Sequence, residues 1–205
     1  MNFFIAVALG YLLGSVPVGL LVGKVTKGID IREYGSGNIG ASNALRTLGL
    51  KAAIPVFAAD WAKGFLPVII ARTLGGSTAG QVAAALAAMA GHNWSIFIGF
   101  KGGRGVMPTA GGLTAFSPAT TLVAGGVATT VLINSRYMSL GSLSGAGTAL
   151  LMMALLVASG RRPLGHLVYI LVADSMILFQ HRDNIKRLLS GTERKLGEKA
   201  KRIAP

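Results

Sequence analysis

Cysteine is absent, which removes disulfide scaffolds, thiol catalysis and cysteine metal sites from consideration. Acidic residues are nearly as scarce: seven Asp and Glu stand among 205 residues, and all charged residues together make up 13% of the chain. An ordinary soluble domain carries about 25% charge, so this chain cannot clothe a globular core in water-soluble surface. Hydrophobic residues reach 52%, and twenty Lys and Arg set the formal net charge at +13. Such a charge suits nucleic acid or anionic lipid. The cations sit in short clusters between long uncharged runs, whereas a nucleic-acid groove needs them spread over a soluble face. The sequence therefore describes a polytopic, all-α integral membrane protein with lipid and not nucleic acid as its surroundings, expected as one membrane-embedded domain over 1–205.

Runs free of Asp, Glu, Lys and Arg cover 1–23, 73–100, 105–135 and 137–160, and two further apolar stretches, 52–71 and 164–180, hold isolated charges. About 20 apolar residues cross the hydrocarbon layer as a helix. The first run carries no basic residue before its apolar stretch, so it is expected to be a retained span and not a signal peptide. Lys24, Lys27, Arg32, Arg46 and Lys51 make the first polar segment cytoplasmic and leave the N-terminus outside. Six spans would then export a tail at about 182–205 that holds Arg182, Lys186, Arg187, Arg194, Lys195, Lys199, Lys201 and Arg202. One more crossing resolves this. Ser117-Pro118 interrupts the run 105–135, because proline lacks the backbone donor and disfavours helix at the residue before it. A break there gives about seven transmembrane helices and a cytoplasmic tail, with Arg161-Arg162 outside against the positive-inside rule. Gly141 and Gly145 read as helix-packing positions.

The segments 24–51, 101–104, 134–142 and 181–205 then share the cytoplasmic side. Gly35-Ser36-Gly37-Asn38-Ile39-Gly40 matches GxGxxG, yet no strand precedes it and the acid twenty residues on, Asp60, lies in an apolar helix, so a dinucleotide site is excluded. The local physics remains: glycines let backbone N–H groups face an anion, and a helix starting near Asn38 adds its dipole. Ser36, Ser42, Asn43 and Arg46 supply further donors. Phe100-Lys101-Gly102-Gly103-Arg104-Gly105 lacks P-loop order but sets two cations in a flexible backbone suited to phosphate. His181, Asn184 and Arg187 fall on one helical face. His92, His166 and His181 have no metal-ligand spacing, so no metal is expected. Asp60 and Lys63, at i and i+3, should neutralise each other, while Asp174 shows no partner in the sequence. An enzyme acting on phosphorylated substrates and a carrier of anionic solutes both fit these residues.

Three blocks in order, 35–43 with Arg46, 91–105, and 181–193, together with Asp60-xx-Lys63-Gly64 and Arg136-Tyr137-Met138-Ser139-Leu140, resemble the bacterial PlsY family of acyl-phosphate:glycerol-3-phosphate acyltransferases. The resemblance runs from the first span to near residue 193. It implies seven helices, an external N-terminus, a cytoplasmic active site in the bacterial inner membrane, and transfer of a fatty acyl group from acyl phosphate to the 1-hydroxyl of glycerol 3-phosphate without a cofactor. Carried over to this chain, it gives catalytic roles to His181, Asn184 and Ser36. Substrate binding falls to Gly35, Gly37, Asn38, Gly40, Asn43, Arg46, Lys101, Gly102, Gly103, Arg104, Ser142 and Arg187. Ser36 and its glycine neighbours would meet the donor phosphate, Arg46, Arg104 and Ser142 the glycerol phosphate, with Lys101 adding positive potential. The family's GHxxPxFxxFKGGKG is altered here to Ser95 at the proline and Arg104 at the second lysine, followed by Met107-Pro108-Thr109, and Pro108 is expected to kink the start of the fourth span. Ser42 replaces a usual threonine. The His-x4-Asp arrangement of another acyltransferase class is absent.

Overall fold

The computed structural model describes residues 3–198, 200, 202 and 203; the first two residues and parts of the basic tail, including Lys199 and Lys201, lie outside the described residues. The chain is all-helical: among the described residues the sole β pairing is an isolated antiparallel bridge between Tyr34 and Arg202.

The first apolar run forms α1 (Phe3–Ser15) and α2 (Val18–Lys27), interrupted where Pro17 withholds a backbone donor. Lys24 and Lys27 occupy the last turn of α2, which ends at Gly28 in the left-handed conformation, φ 68°. A short α3 (Ala41–Leu48) follows the glycine-rich loop, and α4 (Leu50–Thr73) and α5 (Thr78–Asn93) form the next apolar pair. The run 105–135 divides at Ser117-Pro118 into α6 (Val106–Phe116) and α7 (Pro118–Ser135), where the proline begins a helix whose first turn needs no donor from it. Pro108 does not kink this span. It stands in the first turn of α6, where a missing N–H is harmless. The chain continues through α8 (Met138–Ala158) and α9 (Leu164–Gln180), then bends by 60° into the amphipathic α10 (Arg182–Leu189).

Among the described residues, Phe3–Lys27, Leu50–Thr73 and Met138–Ala158 are each long and apolar enough to cross a membrane, and the bent pair α9–α10 would make a fourth only if counted as one span. The remaining apolar helices are shorter or more polar; α6, with 11 residues, rises only about 16 Å. Large apolar side chains such as Leu122, Ile133, Leu151 and Leu155 point outward, an arrangement suited to lipid and not to water.

Small residues set the packing. A β-carbon at Gly10 or Gly14 of α1 would overlap the carbonyl oxygens of Ala84 and Ala88 on α5, and one at Gly141 or Gly145 would press on Ala128 of α7. Gly141 and Gly145 thus pack helices, as the sequence suggests. Val68, Met89, Leu113, Phe116, Met153, Tyr169 and Ile170 form the main core between α4, α5, α6, α8 and α9, and Leu20, Ile31, Ile39, Ala44 and Val56 form a second beneath the glycine-rich loop. Asp60 and Lys63 pair at 2.8 Å, both buried, as their spacing implies. Lys63 also donates to the Val16 carbonyl at the α1–α2 break, at 2.9 Å.

Candidate active site

The loop before α3 is held by one side chain. Asn43, 1% exposed, donates through Nδ2 to the carbonyls of Ile31, Tyr34 and Asn38 at 2.8–3.1 Å, and its Oδ1 accepts from the Ser36 backbone N–H at 2.9 Å. These bonds use both ends of its amide, so Asn43 shapes the loop and has no free group for substrate. Gly35 and Gly37 adopt left-handed φ of 61° and 73°, and at Gly35 a side chain would also collide with Asn43 Oδ1. Asn38 Oδ1 caps the loop by accepting from Gly40 N–H at 2.8 Å. The loop thereby presents the start of α3, where first-turn N–H groups lack helical acceptors, together with the hydroxyls of Ser36 and Ser42.

These groups line a polar cavity of about 150 Å³, whose other walls include Asp60, His92, Arg104, Ser139, Ser142 and His181. Among the described residues the Arg104 guanidinium has no hydrogen-bond or ion-pair partner, although burial pulls its pKa below the ordinary arginine value while the Glu193 charge raises it. An arginine stays charged even so. A largely buried fork of N–H donors without a partner among the described residues has the chemistry to bind an anion.

His181 is 2% exposed, and its Nδ1 lies 2.9 Å from the Ile177 carbonyl. Only a protonated Nδ1 can bond a carbonyl, which leaves Nε2 as the acceptor nitrogen. Burial, and then the charge of Arg104, lower the His181 pKa to about 4, so the ring is neutral at physiological pH.

Asn184 and Arg187 meet on one acid, as their shared helical face anticipates. Glu193 accepts from Asn184 Nδ2 at 2.6 Å, from Ser139 Oγ at 2.8 Å and from Arg187 Nε at 2.7 Å. Burial would raise its pKa, but these three donors outweigh that and hold the carboxyl below its usual value. Neither Asn184 nor Arg187 lies in the cavity wall; Asn184 Oδ1 is buried without a hydrogen-bond partner among the described residues. Glu193 and Ser139 were not among the expected site residues. Glu193 is one of three acids in the basic tail and closes the block 181–193, and that position is the signal that points to it.

Several expected residues lie elsewhere. Gly103 donates its N–H to the His92 carbonyl at 2.8 Å, and a β-carbon on Gly102 or Gly103 would overlap His92, so these glycines bring the cationic loop onto α5 and spend their backbone on packing. Lys101 is exposed outside the cavity. Arg46 lines a separate space of about 340 Å³ with Arg194 and Arg202, beneath a strap formed by the tail. The tail is docked on the body of the protein: Arg194 donates to the Gly35 carbonyl, Arg136 Nη2 to the Leu196 carbonyl at 2.8 Å, and Ile203 N–H to the Glu33 carbonyl at 2.8 Å.

A second cavity of about 390 Å³ continues from the first between α4, α6, α7, α8 and α9. It shares Phe57, Val106, Met107, Met138 and Ser142 with the polar cavity and is otherwise walled mainly by apolar side chains, with Thr109, Thr121, Thr129 and Asp174 among them. A small chamber lined by polar groups and sharing walls with a larger, mainly apolar groove is thus built into the chain.

The profile of the glycerol-3-phosphate acyltransferase family matches residues 4–191. The chain belongs to the glycerol-3-phosphate acyltransferase family. It is 44% identical over 191 residues to a glycerol-3-phosphate acyltransferase of Thermoanaerobacter sp. (strain X514), covering 93% of this chain and 94% of the relative. Glycerol-3-phosphate acyltransferase 2 of Moorella thermoacetica is also 44% identical, over 97% of this chain and all of that protein. Among solved structures, the glycerol 3-phosphate form of PlsY, an integral membrane glycerol 3-phosphate acyltransferase, superposes with a TM-score of 0.87 at 38% identity, covering 95% of this chain and 96% of that one. The lysophosphatidic acid form of PlsY gives 0.86 over 95% of each chain. Membership in this family and the outward apolar surface make the chain an integral membrane protein.

Proposed function

We propose that this acyltransferase moves a fatty acyl group from acyl phosphate to the 1-hydroxyl of glycerol 3-phosphate, yielding lysophosphatidic acid and inorganic phosphate. The observation that carries the reading is Arg104, an unpartnered cation in a small polar cavity that opens into an apolar groove. One substrate then needs a phosphate beside a long apolar chain, and the other brings its own phosphate to the same chamber.

In this reading the donor phosphate sits at the start of α3 beside Ser36, and its chain enters the groove past Ser142. The glycerol phosphate is held by Arg104, with the Arg46 charge adding attraction from the adjoining space; Lys101 supplies potential at the mouth. His181 Nε2 accepts the hydrogen bond of the 1-hydroxyl and orients it. The hydroxyl oxygen bonds to the acyl carbon, the acyl carbon–phosphate oxygen bond breaks, and the proton leaves on phosphate directly or through His181. Acyl phosphate is a mixed anhydride with a good leaving group, so held geometry and stabilised negative charge suffice without an enzyme nucleophile. Ser36 Oγ, which has no base bonded to it among the described residues, acts as a hydrogen-bond donor.

The chain acts as one domain crossing the bacterial inner membrane seven times, with the N-terminus outside and the chamber and strap cytoplasmic. No cofactor enters the reaction. Purified protein in lipid, given glycerol 3-phosphate and equal amounts of acyl phosphate or an acyl thioester, is expected to make lysophosphatidic acid from acyl phosphate alone. Movement of glycerol 3-phosphate into sealed vesicles with no product formed would favour a carrier instead.

A further inference from the structure

Asp174 lies in the wall of the apolar groove, 5% exposed, and neither of its carboxyl oxygens has a hydrogen-bond partner. It is the sole ionisable residue in that wall, and no cation faces it there. A buried carboxyl without a partner opposes folding in either protonation state. Its presence is explained if the partner arrives with a ligand.

Position suggests which ligand. Ile170, Asp174, Ile177 and His181 form one stripe along α9, so the face that carries His181 into the polar chamber carries Asp174 into the groove. Asp174 precedes His181 by two helical turns, about 10 Å. Carbon–carbon bonds of about 1.5 Å advance an extended chain by about 1.25 Å each, so a chain running beside α9 places roughly its eighth carbon at Asp174. A hydroxyl there donates to a carboxylate or accepts from a carboxylic acid, whichever form is present.

Resting on the acyl-phosphate reading above, we infer that Asp174 is a recognition site for a mid-chain hydroxyl on the acyl donor. An unsubstituted chain leaves the carboxyl unpaired; a chain hydroxylated near carbon 8 satisfies it. A hydroxyl near carbon 3 or carbon 12 lies out of reach of Asp174 and leaves its carboxyl unpaired, as the unsubstituted chain does.

The test compares donors of one chain length on the native protein: unsubstituted acyl phosphate and the same chain hydroxylated at carbon 3, 8 or 12, each with glycerol 3-phosphate. The expected result is a kcat/KM for the carbon-8 donor at least about tenfold above the other two hydroxylated donors. Asp174→Leu should abolish that preference while retaining use of the unsubstituted donor, and Asp174→Asn should keep much of it. Turnover of the unsubstituted donor with no dependence on hydroxyl position, or equal loss for all donors in a folded Asp174→Leu protein, would overturn the inference alone. Failure to turn over any acyl phosphate would overturn the transferase reading and the inference with it. The positional comparison on the native protein decides the matter even if the leucine variant does not fold.

Discussion

Asn184 Nδ2 donates to Glu193 Oε1 at 2.6 Å, and this fixes the amide so that its oxygen is the end left buried and unpartnered. The same acid anchors Ser139 and Arg187, and so ties α10 and the start of α8 into one unit around His181.

Removing the acid should therefore loosen the whole unit. Glu193→Ala leaves three donors without their acceptor and is expected to lower stability by about 1–3 kcal/mol and kcat by more than tenfold. A thermal melt of the variant in detergent together with kcat checks this. Native-like values of both would show that Glu193 is dispensable.

Arg104 and Arg46 should separate kinetically. Arg104→Ala takes the unpartnered cation from the chamber and is expected to raise the KM for glycerol 3-phosphate at least about tenfold, with Arg104→Lys restoring much of the loss as a point charge. Arg46→Ala acts from the adjoining space and should raise KM less. Initial-rate kinetics at varied glycerol 3-phosphate checks both, and equal effects would place the two arginines on one phosphate.

His181 should behave as a neutral acceptor. With its pKa lowered to about 4, the ring is expected in the Nδ1–H form at pH 6, which nitrogen chemical shifts of the protein's three histidines can report. The unfolded chain takes up this proton near pH 6.5 and the folded protein only near 4. Stability contributed by His181 is therefore full above about 6.5 and falls as the pH drops toward 4. A doubly protonated His181 at pH 6 would contradict the assignment.

The strap gives an internal contrast. Arg194→Ala removes a donor to the Gly35 carbonyl and should weaken phosphate binding by disordering the glycine-rich loop. Arg202→Ala breaks an exposed 2.9 Å pair with Glu33, with side chains 70% and 51% exposed, and should be nearly silent, as exposed pairs contribute about 0–1 kcal/mol. Phosphate affinity of the two variants distinguishes them.

What the sequence revealed follows a physical division. Proline and charge act locally, so the break at Ser117-Pro118, the Asp60–Lys63 pair and the helical runs were legible without a structure. The meeting of the blocks was legible in part, because the glycine-rich loop, Arg104 and His181 do line one cavity. Which donors remain free was not. Asn43 and Arg104 both look like ligands for an anion, but Asn43 is consumed by three carbonyls up to twelve residues away, whereas Arg104 has no hydrogen-bond partner among the described residues. That distinction depends on tertiary contacts, as does the docking of the tail on Gly35, 159 residues earlier in the chain. Pro108 shows the same limit from the other side, since its effect depends on where α6 begins.

The central claim, direct transfer between two bound substrates, is tested most directly by phosphate release in a single turnover of the purified protein in lipid, with acyl phosphate alone and with glycerol 3-phosphate added. Release that requires glycerol 3-phosphate and matches lysophosphatidic acid one for one is the predicted result. A burst of phosphate without the acceptor, leaving the acyl group on the protein, would contradict it and make Ser36 a nucleophile.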